Sequence, residues 1–131
     1  MANPALNVLR KATKGLLYMS EKDAPFKVIE LKEGETPTAA NVVELLGAPA
    51  ASPVEEVTFG KFFGELTKVQ KWHAEDDKAV VRRYQDLVGV LRETLTNLKV
   101  FKIGAVRVKI AILGKTSSGT WAGLETDSLE T

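Results

Sequence analysis

Residues 106–113, VRVKIAIL, constrain the fold more than any other stretch of this chain. Successive side chains of a strand point to opposite faces, so Val106, Val108, Ile110 and Ile112 share one side. Arg107 and Lys109 begin the other side, and Ala111 and Leu113 then make it apolar too. A strand that is apolar on both faces has to be covered twice. Residues 26–31 repeat the signal, because Val28 and Ile29 are adjacent and both apolar. Helical segments come before and after these strands. The simplest solution is an antiparallel sheet between helical layers: an α+β fold, a three-layer α/β/α sandwich around an antiparallel sheet.

The remaining segments fit that expectation. Asn3 can accept hydrogen bonds from free helix amides, and Pro4 is tolerated at a first helical position. Leu6, Leu9, Thr13 and Leu16 follow at helical spacing, and Gly15 can close the helix. A loop at 34–38 leads to a short helix near 39–46, and an Ala- and Pro-rich connection follows at 47–53. Residues 54–58 read as a strand. Phe59, Phe62, Phe63 and Leu66 then form one side of a short helix. The longest helix opens at Glu75 or Asp76 and runs to about Asn97. Its stripe is Val80, Val81, Tyr84, Leu87, Val88, Leu91 and Leu95. Gly104-Ala105 is a two-residue hairpin signal between strands at 99–103 and 106–113. Ser117-Ser118-Gly119 turns the chain into a last strand near Thr120-Trp121. Neither side of the 47–53 connection can bury enough surface alone, so one domain over residues 1–131 is expected.

Composition removes several function classes. The chain is 44% hydrophobic and 27% charged, enough to build a core and keep a solvated surface. A net charge of +1 argues against a nucleic-acid binder, which usually carries a basic face, and against a whole-surface acidic mimic of nucleic acid. No apolar run approaches the roughly 20 residues that span a bilayer. The opening residues lack the charged and apolar blocks of a signal peptide. With no cysteine and one histidine, His73, no thiol chemistry and no Ser-His-Asp constellation is on offer. Gly114-Lys115-Thr116-Ser117 resembles the end of a phosphate-binding loop, but Lys109 stands where the upstream glycine is required. We expect no enzyme, no cofactor and no intrinsic metal site. Glu75-Asp76-Asp77 complements a helix N-terminus, and its side chains point in different directions.

Three short segments stand apart. Residues 16–26, LLYMSEKDAPF, end an apolar run in Met19-Ser20-Glu21 ahead of a strand opening at Pro25-Phe26. By residue type, Glu21 is either a solvated charge beside a Ser20 turn or a carboxylate presented from the rim of a sheet. Trp72 lies in the charged segment 70–77. There an indole reads either as an anchor packed on the long helix or as an interface hot spot. Glu130 and Thr131 read as a frayed end or as a compact cluster of oxygens.

The order and spacing of Met19-Ser20-Glu21 before Pro25-Phe26, Trp72 before an acidic helix start, and the final Glu130-Thr131 resemble the nuclease A inhibitor family from about Leu6 to Thr131. That resemblance implies a bacterial, cytoplasmic inhibitor of a sugar-nonspecific DNA/RNA endonuclease that uses one Mg²⁺ and a histidine base. It implies a one-to-one complex, with the inhibitor a monomer when free and no direct contact to nucleic acid or membrane. Glu21 falls on the family's glutamate that reaches the nuclease's magnesium, a hard ion that prefers oxygen ligands. Trp72 falls on its contact tryptophan, and Glu130-Thr131 on the terminus that plugs the active centre. Lys71 departs from the pattern, since an acidic residue is expected there, facing basic nuclease side chains. The alternative is a related non-catalytic protein-binding module with a different partner.

Overall fold

The computed structural model describes residues 4–18, 23–68 and 75–129. Helix α1 spans Pro4–Thr13. Its N-terminal proline loses no hydrogen bond, because first-turn amides have no partner within the helix. Gly15 ends it at φ 75°, a left-handed conformation that costs glycine little. Two short strands, β1 (Leu17–Tyr18) and β2 (Ala24–Pro25), pair with each other. Strand β3 (Lys27–Glu30), helix α2 (Val42–Leu45) and strand β4 (Val54–Val57) follow. Helix α3 (Phe59–Leu66) begins behind Thr58, whose hydroxyl accepts from the Lys61 amide at 3.2 Å, an N-cap bond. Helix α4 (Glu75–Thr94) precedes the three long strands β5 (Thr96–Ile103), β6 (Arg107–Lys115) and β7 (Trp121–Leu129).

The fold is α+β. Five strands form one sheet in the order β3-β7-β6-β5-β4, antiparallel at each pairing. The two-faced reading of the strands holds. Val108, Ile110 and Ile112 join one apolar cluster with Leu124, Leu9, Phe62, Phe63, Leu87 and Leu91. Ala111 and Leu113 join a second cluster with Phe101, Ile103, Trp121 and Val42. The first cluster holds residues of α1, α3 and α4, and the second a residue of α2. Lys109, on the second face, pairs with Glu125 at 3.2 Å and donates to the Leu46 carbonyl at 3.4 Å. A cation thus sits on an otherwise apolar face because its charge is matched.

Three expectations need correction. The β5–β6 connection is three residues, 104–106, in place of a two-residue hairpin. Gly104 takes φ 115° and donates its amide to the Pro53 carbonyl at 2.9 Å, so that donor serves the neighbouring edge and not the turn. Val106 consequently lies outside β6 and is 53% exposed. The long helix stops at Thr94, short of Asn97. Asn97 itself takes φ 53° within a register shift between Thr96 and Lys99. Asparagine tolerates this conformation, and the bulge turns the chain from helix into sheet. The helix expected over 39–46 is confined to Val42–Leu45.

Candidate functional site

Glu21, Trp72, Glu130 and Thr131 lie outside the described residues, as do Asn3, Met19, Ser20, Lys71 and His73. The ends from which those segments depart are described, and those at Asp23 and Leu129 line one cleft. Residues 19–22 leave Tyr18 and return at Asp23, across a ladder that pairs Tyr18 with Ala24 and Leu17 with Pro25. Residues 69–74 leave from Lys68, just past α3, and re-enter at Glu75, the first residue of α4. Residues 130–131 follow Leu129, the last residue of β7.

Two clefts border the Asp23 end, one reaching α4 and the other the end of β7. One, of about 450 Å³, is lined by Leu16, Leu17 and Asp23 on one side and by Ala79, Val80 and Arg83 of α4 on the other. The second, of about 490 Å³, is lined by Asp23, Pro25, Arg107, Asp127 and Leu129. Asp23 lines both. It therefore stands where the returning end of residues 19–22, the first turns of α4 and the end of β7 approach one another.

Each stem has its own fastening. Thr126 of β7, buried in the sheet, donates its hydroxyl to the Pro25 carbonyl at 3.0 Å and lies 3.4 Å from the Ala24 carbonyl. Tyr18 stacks on Phe62 of α3 at 5.9 Å and meets the edge of Phe26 at 6.4 Å. Gln85 of α4 donates to the Thr67 carbonyl at 2.9 Å, which ties the end of α3 to α4. Tyr84 donates to the Leu17 carbonyl at 2.7 Å. Arg83 donates to the carbonyls of Lys14 at 2.8 Å and Ala12 at 3.2 Å. A cation there also complements the negative end of α1. Burial pushes the Tyr84 phenol well above its ordinary range. The nearby Tyr18 adds to the rise and Arg83 opposes it. The phenol therefore remains a donor at ordinary pH.

The sequence reading placed Tyr84 in the core stripe, and it is buried there. It missed Asp23, Arg83, Gln85 and Thr126 as members of this region. No local pattern points to them, since their partners are between 18 and 102 residues away in the chain where a bond is made. Among the described residues no group of three or more His, Cys, Asp or Glu side chains is placed to hold a metal ion, and no helix is long and apolar enough to cross a membrane. The region offers a firm frame for three segments, with charged groups of both signs at its rim. Asp23 and Arg83 supply the charges of the first cleft, and Asp23, Arg107 and Asp127 those of the second.

A protein-family model described as nuclease A inhibitor-like protein matches residues 3–131. No curated protein sequence matches the chain.

Proposed function

The chain belongs to the nuclease A inhibitor-like family, and from that premise we propose that it inhibits a Mg²⁺-dependent, sugar-nonspecific DNA/RNA endonuclease by plugging its active site. The match over residues 3–131 carries the proposal. In this reading Glu21 and the Glu130-Thr131 end supply oxygens to the nuclease's magnesium or its water shell, where a substrate phosphate would otherwise bind. Trp72 packs on the rim as an aromatic anchor. The metal and the catalytic base belong to the nuclease, and the inhibitor contributes placed oxygens and an apolar anchor. The complex is one-to-one, and the free inhibitor is a cytoplasmic monomer, one domain over residues 1–131. The sheet with its two apolar clusters acts as a three-layer sandwich scaffold for contact segments carried on loops. Convergence of the segments is supported by the position of Asp23, which lines both clefts.

Lys71 favours a second reading, a related non-catalytic binding module with a different partner. A lysine where an acidic residue is expected would meet repulsion from basic nuclease side chains.

Titration against such an endonuclease, following DNA cleavage, separates the two. Inhibition at one equivalent, relieved by Glu21→Ala or by deleting Glu130-Thr131, is the expected result. Undiminished cleavage at large molar excess would sink the inhibitor reading and leave the second. Inhibition that survives all three changes, including Trp72→Ala, would sink the plug mechanism alone.

A further inference from the structure

We propose that Arg83 and Tyr84 are positioning residues for the segment that carries Glu21. These adjacent side chains of α4 hold the backbone of residues 12–17 by its carbonyl oxygens. They thereby fix the point from which residues 19–22 depart relative to the helix that the Trp72 segment enters. The inference rests on the inhibitor reading above, and adds how two of its contact segments are kept in register.

Strand β1 is short, and beyond its ladder it is held by the Tyr18 ring against Phe62 and Phe26. It is two residues long, its ladder reaches only β2, and the Leu17 side chain is 42% exposed. Short elements with few buried contacts open readily on their own. Against that background, a 2.7 Å bond from a phenol that is itself 2% exposed is a substantial constraint. The Tyr84 ring also meets the edge of Phe26 at 6.3 Å, so one side chain touches the chain on both sides of residues 19–22. Arg83 extends the grip one turn back. The same nitrogen, Nη2, bonds both Lys14 and Ala12, and so closes the end of α1 from another helix. All three carbonyls are gripped from successive positions of α4, the helix that begins directly after residues 69–74. A movement of residues 12–17 against α4 would break these bonds. If Tyr84 served the core alone, phenylalanine would do as well, and that is the basis of the test.

Hydrogen exchange on the free chain and inhibition of a Mg²⁺-dependent nonspecific endonuclease are measured for Tyr84→Phe, Arg83→Met and Arg83→Lys. Val42→Ala, in the cluster on the opposite face, serves as a control for lost stability. In Tyr84→Phe and Arg83→Met, amides of residues 16–18, 23, 24 and 26 should exchange about fivefold faster, the scale of one lost hydrogen bond, with β6 and β7 unchanged. Their inhibition constants should rise by about the same factor. Arg83→Lys should recover part of the loss, because it keeps a cationic donor but loses the fixed planar geometry of the guanidinium. Val42→Ala should lower stability and leave inhibition intact. Wild-type exchange at residues 16–18, 23, 24 and 26 in both variants would overturn the inference. So would faster exchange with an unchanged inhibition constant, or weakening that follows stability across all four variants. A wild-type chain that does not inhibit would overturn the functional reading instead, and the exchange result would then decide the grip on its own.

Discussion

Replacing Thr126 by valine exchanges one hydroxyl for one methyl group at nearly constant shape, at a side chain that is 2% exposed. The hydroxyl is the donor that ties β7 to β2, at 3.0 Å from the Pro25 carbonyl. A hydrogen bond of this kind contributes about 1 kcal/mol net, and a fully buried acceptor left without a partner costs about 1–3 kcal/mol. Water can reach the Pro25 end, since the bond is only partly buried, so the lower figure applies. The expected loss is about 1 kcal/mol. Unfolding entropy of about 2.1 cal/mol/K per residue converts this to a drop in Tm of about 3–4 °C for 131 residues. Thr126→Ser keeps the donor and removes the methyl group, which should cost about 1 kcal/mol through lost burial and a small cavity. Thr126→Ala removes both, and the sum should hold to within about 0.5 kcal/mol if the two groups act independently. Guanidinium chloride unfolding monitored by tryptophan fluorescence, with equal slopes across the series, gives each value. A valine variant as stable as the parent would refute the reasoning, because the bond would then hold nothing. An alanine variant no worse than serine would refute it equally.

Gly114→Ala would bring a new Cβ to 2.6 Å from the Leu95 Cβ and 3.0 Å from the Leu98 Cδ2. Overpacking of this kind should cost about 1–3 kcal/mol in urea unfolding, and an unchanged midpoint would contradict the contact. Burial raises the Tyr84 phenol above its ordinary value of 10.0. Between that value and the raised one, the folded chain keeps a proton that the unfolded chain has lost. This contribution is therefore complete below about pH 10 and falls as pH rises, by up to about 1.4 kcal/mol per pH unit. Tyr84→Phe should flatten that slope in unfolding measured from pH 9 to about 11, and parallel slopes would exclude the linkage. The Lys109–Glu125 pair, with side chains 26% and 18% exposed at 3.2 Å, should show a coupling of about 1 kcal/mol in a double-mutant cycle. A coupling of zero would mean that the Leu46 carbonyl, not Glu125, holds Lys109 in place.

Much of the fold is legible where burial repeats at a fixed period. Val108, Ile110 and Ile112 against Ala111 and Leu113 assign residues to two faces without any knowledge of their neighbours, and two clusters result. The stripe on α4 and the glycine after α1 are equally local signals. The failures fall where a distant partner claims a local group. Gly104-Ala105 has the composition of a tight hairpin, but the Gly104 amide is taken by Pro53, about fifty residues earlier. Leu95 continues the helical stripe and is buried, yet it lies outside the helix, because strand β5 begins at the next residue, Thr96. For the candidate site, the residue types of Glu21, Trp72, Glu130 and Thr131 leave a bland alternative at each position. Their order and spacing carry the family resemblance, and the family match agrees with it. Arg83 gives no signal at all, since an arginine on a helix surface is ordinary until a carbonyl 71 residues away is set beside it.

By itself, then, the sequence determined most of the inward-facing stripes, most of the helices and long strands, and the family resemblance. These depend on side-chain period and on residue order, and both are properties of the linear chain. Only the tertiary structure decided that β3 pairs with β7 at one edge and β4 with β5 at the other, and that α4 grips the end of α1 and the stem of residues 19–22. Pairing of strands and capping by remote side chains are selected by what else is nearby once the core has closed. Many partners are chemically equivalent for a carbonyl oxygen or an edge amide, and the packed arrangement leaves just one within reach.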